Sequence, residues 1–210
     1  MEKYIVLGAG GHAKIVLDIL EKCNKEIAGL TDAAATGTCL GYPVLGEDAV
    51  LESLLSEGIT CAAMGIGNVG NPVIRNKVYN YASGLGYEFP NVIHPSAAVS
   101  EHVRFEDGVV VAAGAVINPD AQIGSLVIIN TGAVVEHEVV ISRGAHIAPH
   151  ATVLGAASVG ENSFCGAGSV ILPMVHVGNN VIIGAGAVVR EDVPDNTVVA
   201  GVPGRVIRTR

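Results

Sequence analysis

From residue 93 to residue 189 an apolar side chain recurs at every sixth position without a slip, from Ile93, Val99, Phe105, Val111 and Ile117 through Cys165 and Ile171 to Val189. A small or branched residue stands four places after nearly every one, as at Ala97, Val103, Ala115, Ala133, Ala151 and Ala157, and glycine often follows directly, as at Gly124, Gly160, Gly166, Gly178 and Gly184. The pattern predicts a solenoid in which each hexad supplies a short strand and a turn, one apolar side chain points inward per face, and glycine permits the corners. Three hexads close a coil of about 18 residues, with strands of successive coils about 4.8 Å apart, so the repeat makes about five to six coils.

Residues 1–90 carry a different pattern. Tyr4–Gly8 reads as a strand ending in glycine, and residues 11–23 carry helical spacing at Ile15, Ile19 and Leu20. A second strand is predicted over Glu26–Leu30, a helix over Glu47–Ser56, a buried strand over Cys61–Asn68 and a further helix after Pro72. Alternating strands and helices imply a small parallel sheet of Rossmann type. Pro90 and Pro95 interrupt the pattern, so two domains are expected, 1–90 and 91–210.

Composition supports thin, repetitive layers. Half the residues are apolar and 27 of 210 are glycine, but aromatics make up only 4% and tryptophan is absent. A formal net charge of -8 argues against general nucleic-acid binding, which needs a basic surface. The four cysteines, Cys23, Cys39, Cys61 and Cys165, show no metal-binding spacing and read as reduced thiols of a cytoplasmic protein. The first residues do not read as a signal peptide, and no apolar run is long enough to span a membrane.

Two constellations carry chemistry. The first is Gly8-Ala9-Gly10-Gly11-His12-Ala13, which follows a strand, opens a helix and fits G-x-G-x-x-A, with Asp32 at the next strand end. Glycine lets backbone approach a phosphate, the helix N-terminus attracts its charge, and an acid can hold a ribose or base. Gly67 ends another strand on the same expected edge, so three strand ends converge. A nicotinamide site is the poorer reading of this motif, because no second mononucleotide-binding half precedes the repeats.

The second constellation is Glu136-His137-Glu138. A neutral histidine can remove a proton from an amine or hydroxyl, and a neighbouring carboxylate can orient the ring. One coil of about 18 residues beyond His137 lies Gly155, whose backbone N–H could donate to an oxyanion. His146 falls half a coil away and faces elsewhere within one chain, but across an interface between chains it could meet the same cleft. His94, His102, His150 and His176 read as polar turn residues.

Together the two halves resemble the sugar acetyltransferases of the PglD and NeuD type over essentially the whole chain. The resemblance rests on YIVLGAGGHAK, Asp32 and Ile66-Gly67-Asn68 in the first half, and on INTGAVVEHEVVI, GAHIAP and VVAGVPGRVIR in the second. It implies an N-terminal Rossmann-like nucleotide-sugar domain, a left-handed parallel β-helix of hexapeptide repeats, a homotrimer, and acetyl-CoA lying in the cleft between neighbouring β-helices. It implies His137 as general base and Glu138 as the acid that raises its basicity. His146, Gly155 and Ala167 would line the cofactor, and Gly10, Gly11, His12, Asp32 and Gly67 would hold the nucleotide sugar. Ala33 stands where some members have a second acid. The expected reaction is transfer of acetyl to the 4-amino group of a nucleotide-linked amino-deoxy sugar, with UDP as the expected nucleotide and no metal. O-acetylation of a sialic-type sugar is the runner-up. Two readings from other classes are a non-catalytic nucleotide-sensing trimer and a β-helix zinc carbonic anhydrase, and the latter needs three converging histidines. No two histidines of the repeat are spaced by a whole number of coils.

Overall fold

The structure, a computed structural model, describes residues 2–210. The chain divides into two compact units, one holding the residues up to Gly67 together with Val73–Pro95, the other holding Asn68–Pro72 and Ser96–Arg210. The boundary thus falls at Pro95, and five residues expected in the first domain group with the repeat.

In the first unit the order is β1 (Lys3–Leu7), α1 (Gly11–Lys22), β2 (Glu26–Thr31), β3 (Thr38–Cys39), β4 (Tyr42–Gly46), a 3-10 turn (Asp48–Val50), α2 (Leu51–Ser56), β5 (Cys61–Met64) and α3 (Val73–Leu85). The sheet order is β3-β4-β2-β1-β5. β1 pairs in parallel with both β2 and β5, β4 runs parallel to β2, and β3 is antiparallel to β4. β1, inside the sheet, and β5, at its end, are both buried on both faces, which explains their uninterrupted apolar sequence. Ile5, Leu7, Ala62 and Met64 pack with Leu51, Leu54, Val78, Ala82, Tyr87 and Phe89 in one core. The Tyr87 hydroxyl donates to the carbonyl of Leu51 at 2.9 Å, so its polar tip is satisfied inside that core.

Two expectations need correction here. The helix expected over Glu47–Ser56 begins only at Leu51, because Asp48–Val50 forms a 3-10 turn. The strand expected over Cys61–Asn68 ends at Met64, and Gly65–Gly67 continue as irregular chain beside β1. A side chain at Gly65 would place its Cβ 2.7 Å from the carbonyl oxygen of Gly8, so the two segments approach closely only because both are glycine there.

In the second unit each member of the six-residue series, from Val99 to Val189, is the second residue of a two-residue strand. Strands pair in parallel at a register of 18 residues, as in Val116↔Val134 and Val134↔Thr152. This makes a parallel β-helix with three flat faces. Face one holds Ala98–Val99, Val116–Ile117, Val134–Val135, Thr152–Val153, Val170–Ile171 and Val188–Val189. Face two holds Arg104–Phe105, Gln122–Ile123, Val140–Ile141, Ser158–Val159 and His176–Val177. Face three includes Val110–Val111, Ile128–Ile129, His146–Ile147, Phe164–Cys165 and Ile182–Ile183, and ends in the hairpin Thr197–Ala200/Arg205–Thr209.

The second residue of each strand points inward, and Ile117, Val135, Ile147, Val153, Cys165 and Ile171 are fully or almost fully buried. The corners turn at a left-handed residue every sixth position, glycine at some and Asp120, Glu138, His150, Asn162 or Asn180 at others. The glycines that directly follow inward residues do something else. A Cβ at Gly124 would lie 2.8 Å from the backbone nitrogen of Arg143, one coil on, so these glycines let coils stack rather than turn.

All four cysteines are free, and burial pushes the Cys165 thiol up to about 12. No helix among the described residues is long and apolar enough to cross a membrane.

Candidate active site

The corner between faces one and two carries His137 and Glu138. Glu138 adopts the left-handed conformation, with φ of 59°, which the corner imposes. Its carboxylate Oε2 lies 3.0 Å from Nδ1 of His137. A carboxylate only accepts, so Nδ1 carries the proton and Nε2 presents a lone pair. Glu136 makes a different contact, accepting the backbone N–H of His137 at 3.3 Å. The two flanking acids are therefore not equivalent, and only Glu138 touches the ring. Both His137 and Glu138 are largely exposed.

Gly155 stands one coil beyond His137 at the same corner. The imidazole lies against its α-carbon, so closely that a Cβ there would be 2.7 Å from Cε1 and 2.8 Å from Nε2. The carbonyl of His137 accepts the N–H of Ala156 at 3.0 Å, which fixes the two coils in this register. The N–H of Gly155 has no hydrogen-bond acceptor among the described residues. The corner thus offers a ring nitrogen that accepts a proton beside a backbone donor that is free to act.

His146 and Ala167 lie elsewhere on the β-helix. His146 is outward-pointing on face three yet only 6% exposed. Its Nε2 lies 3.0 Å from Nδ2 of Asn130, and its Nδ1 lies 2.6 Å from the carbonyl oxygen of Asn68. Asn130 Oδ1 accepts the N–H of Thr131 at 2.8 Å, which fixes the amide so that Nδ2 faces the ring and donates. Nδ1 of His146 is then the protonated nitrogen, donating to Asn68. Phe164 meets the same ring edge-on, with centroids 5.2 Å apart. Asn68 itself is anchored by its side-chain amide, which donates to the carbonyl of Gly144 at 2.9 Å. Ala167 is exposed at the corner between faces three and one. Within one chain, then, His137 and Gly155 meet, while His146 and Ala167 stand on the other side of face one.

In the first unit the C-terminal ends of β1, β2 and β5 open into a cavity of about 370 Å³ lined by Gly8, Gly10, Gly11, His12, Asp32 and Gly67, with Asp48, Ile66, Ile74 and Val78 among the rest. All five sequence-derived positions of this site come together. A Cβ at Gly10 or Gly11 would meet nothing within 4 Å, so these glycines leave open space at the start of α1. Backbone N–H groups at a helix start suit a phosphate.

Asp32 lines this cavity and is held by backbone donors. Its Oδ2 accepts the N–H of Ala9 at 2.8 Å, and its Oδ1 accepts those of Ala34 and Ala35 at 2.8 and 2.9 Å. Burial would push this carboxyl up, but the three backbone donors prevail and hold it below its ordinary value. Asp32 thus ties the glycine-rich turn to the end of β2. Asp48, which sequence reasoning passed over, also lines the cavity and accepts the Thr31 hydroxyl at 2.8 Å. The available signal was an acid just after a short strand at the same sheet edge, hidden because β4 was not anticipated.

The PglD N-terminal domain matches residues 3–82, and the bacterial transferase hexapeptide (six repeats) matches residues 156–191. No curated protein matches by sequence. Among solved structures, a histidine-to-asparagine variant of perosamine N-acetyltransferase from Caulobacter crescentus, in complex with CoA and GDP-perosamine, is 39% identical, with a TM-score of 0.95 over 99% of this chain and 98% of that one. The acetyltransferase domain of PglB from Neisseria gonorrhoeae FA1090, in complex with acetyl coenzyme A, is 35% identical, with a TM-score of 0.92 over 98% of this chain and 99% of that one. WeeI from Acinetobacter baumannii AYE, at 22% identity and a TM-score of 0.73, shares the fold. At these identities and coverages the chain belongs to the PglD-type family of hexapeptide-repeat acyltransferases, and is an acetyl-CoA-dependent sugar N-acetyltransferase.

Proposed function

We propose that this enzyme transfers acetyl from acetyl-CoA to the 4-amino group of a GDP-linked amino-deoxy sugar, with His137 as general base. Guanosine replaces the uridine expected from the sequence because the 39%-identical perosamine N-acetyltransferase is in complex with GDP-perosamine. The observation that carries the reading of the base is the Glu138–His137–Gly155 arrangement, in which Nδ1 is engaged by the carboxylate, Nε2 is open and the ring rests on the glycine.

In this reading the neutral amine attacks the thioester carbonyl as Nε2 takes its proton. The carbonyl electrons move onto oxygen, and the Gly155 N–H donates to that oxyanion. Glu138 steadies the imidazolium. Collapse breaks the carbon–sulfur bond, the thiolate leaves, and His137 returns the proton to sulfur. Gly10, Gly11 and His12 at the start of α1 hold the diphosphate.

A homotrimer completes the site. Face one presents Val116, Val134, Val170 and Val188 outward, all half-buried, whereas face two presents Arg104, Gln122, Ser158 and His176. Face three is apolar outward too, at Val110, Ile128, Phe164 and Ile182, but Val110 and Ile128 are already buried within the chain, so the half-buried ladder of face one is the one that suits burial against a neighbouring copy. Face one also separates the His137 corner from the Ala167 corner, so a copy seated there can bring its Ala167 and His146 sides toward this chain's base.

The test is thiol release from acetyl-CoA, screened over GDP- and UDP-linked amino sugars and free sialic acids. His137→Ala should lower kcat by about 10²–10⁴-fold while leaving acetyl-CoA binding intact. An unimpaired variant would overturn the assignment.

A further inference from the structure

We propose that Asp48 is the residue of this chain that reads the nucleoside of the acceptor, a role that Asp32 does not fill. The inference rests on the reading of the first-unit cavity as the acceptor's nucleotide site.

The argument is an account of lone pairs. Two carboxylates line the cavity. Asp32 is the more heavily engaged, since three of its roughly four acceptor sites take backbone N–H groups, from Ala9, Ala34 and Ala35. Turning it toward a ligand would leave three donors without partners, two of them in its own turn. Asp48 is committed at one oxygen only. Oδ1 accepts the hydroxyl of the fully buried Thr31, which orients the carboxylate from behind, and Oδ2 accepts from no group among the described residues. A carboxylate held by one oxygen and open at the other suits a ligand edge carrying two adjacent donors.

Within a nucleoside diphosphate two edges have that chemistry. One is the guanine edge, with its ring N–H and exocyclic amine. The other is the ribose 2′,3′-diol. Ile66, Ile74 and Val78 line the same cavity and supply apolar surface for a flat base, while the start of α1 at Gly10 and Gly11 takes the phosphates. Thr31 is then a positioning residue acting through Asp48. The absence of an acid at Ala33 is no deficit, because the second acid comes from the turn after β4 rather than from the position after Asp32.

The experiment is calorimetric titration of GDP, IDP and 2′-deoxy-GDP into the full-length wild type, Asp48→Asn and Thr31→Val, with acceptor and acetyl-CoA kinetics on each. In Asp48→Asn the amide oxygen can keep the Thr31 bond while an NH₂ replaces the open acceptor, so folding is preserved. The expected result is GDP binding weakened about 10–100-fold, the acceptor KM raised to match, and kcat and the acetyl-CoA KM unchanged. If the base edge is read, IDP, which lacks the exocyclic amine, binds wild type more weakly than GDP does. If the diol is read, 2′-deoxy-GDP is the weaker ligand. Thr31→Val should weaken GDP less than Asp48→Asn does. Asp48→Asn binding GDP as tightly as wild type would overturn the role of Asp48. Wild type binding no nucleotide at all would overturn the reading of the cavity itself, and that outcome appears before any variant is titrated.

Discussion

The imidazole of His137 lies against the α-carbon of Gly155, one coil away, with no room for a methyl group between them. Gly155→Ala would put a Cβ 2.7 Å from Cε1 and 2.8 Å from Nε2, so the ring must swing away from Glu138 and lose its orientation. The glycine is not needed for backbone conformation, since no positive φ occurs there. The expected outcome is a fall in kcat of about 10²-fold or more, with thermal stability close to wild type, because the exposed ring can move without disturbing the core. Steady-state kinetics alongside a melting curve checks it. In a His137→Ala background the same substitution should cost little further, because the ring it displaces is already gone. Equal losses in both backgrounds would show that Gly155 acts independently of the ring.

Asp32 makes acid stability a property of the first unit. Its folded-state carboxyl is held below the ordinary value of 3.8. The unfolded chain therefore takes up this proton at higher pH than the folded chain. The stabilisation is fully present above the unfolded value and disappears as pH falls through the lower folded value. Asp32→Asn should be destabilised by about 1–3 kcal/mol at neutral pH, since an amide matches only part of three N–H donors. The gap between variant and wild type should begin to close as pH falls below the ordinary value of 3.8 and go on closing as the folded-state carboxyl takes up its proton at lower pH. Urea titrations at neutral and acid pH measure it, and a gap that stays constant would contradict the account.

These two acids and the glycine show where sequence was informative. A six-residue period locks every inward side chain, so both the β-helix and the 18-residue register that pairs His137 with Gly155 could be read directly. Backbone donors have no letter of their own. That Ala9, Ala34 and Ala35 would consume the Asp32 carboxylate depended on the fold of two turns, and the sequence named only the acid. The β3–β4 hairpin was hidden for a related reason. Its turn residues Leu40 and Gly41 both take positive φ, a conformation usually signalled by asparagine or aspartate before glycine, and leucine gives no such signal. With β4 unseen, Asp48 had no sheet edge to be placed on.

The apolar ladder of face one carries a prediction about assembly. Val134→Lys places a charge in the middle of Val116, Val134 and Val170 on a solvent-facing position of the single chain, so the fold should tolerate it. If this face is the interface, the substitution desolvates an unpaired ammonium on assembly and the trimer should dissociate. Light scattering after size exclusion should then report the mass of one chain. Acetyl transfer should fall in parallel, while GDP binding by the first unit persists. A trimer that survives with full activity would place the interface on another face.

The buried ring of His146 yields a test by spectroscopy. Asn130 donates to Nε2 and the carbonyl of Asn68 accepts from Nδ1, which together specify the neutral ring with its proton on Nδ1. Imidazole nitrogen shifts of the labelled protein should report that tautomer at neutral pH. Asn130→Asp reverses one demand, because a carboxylate only accepts. With a carbonyl at Nδ1 and a carboxylate at Nε2 both requiring donors, the ring should hold both protons and appear as imidazolium. Asn130→Ala instead leaves Nε2 without this donor in a site 6% exposed, which should destabilise the β-helix by about 1–3 kcal/mol. If the shifts in Asn130→Asp stay at wild-type values, Asn130 does not set the protonation state of this ring.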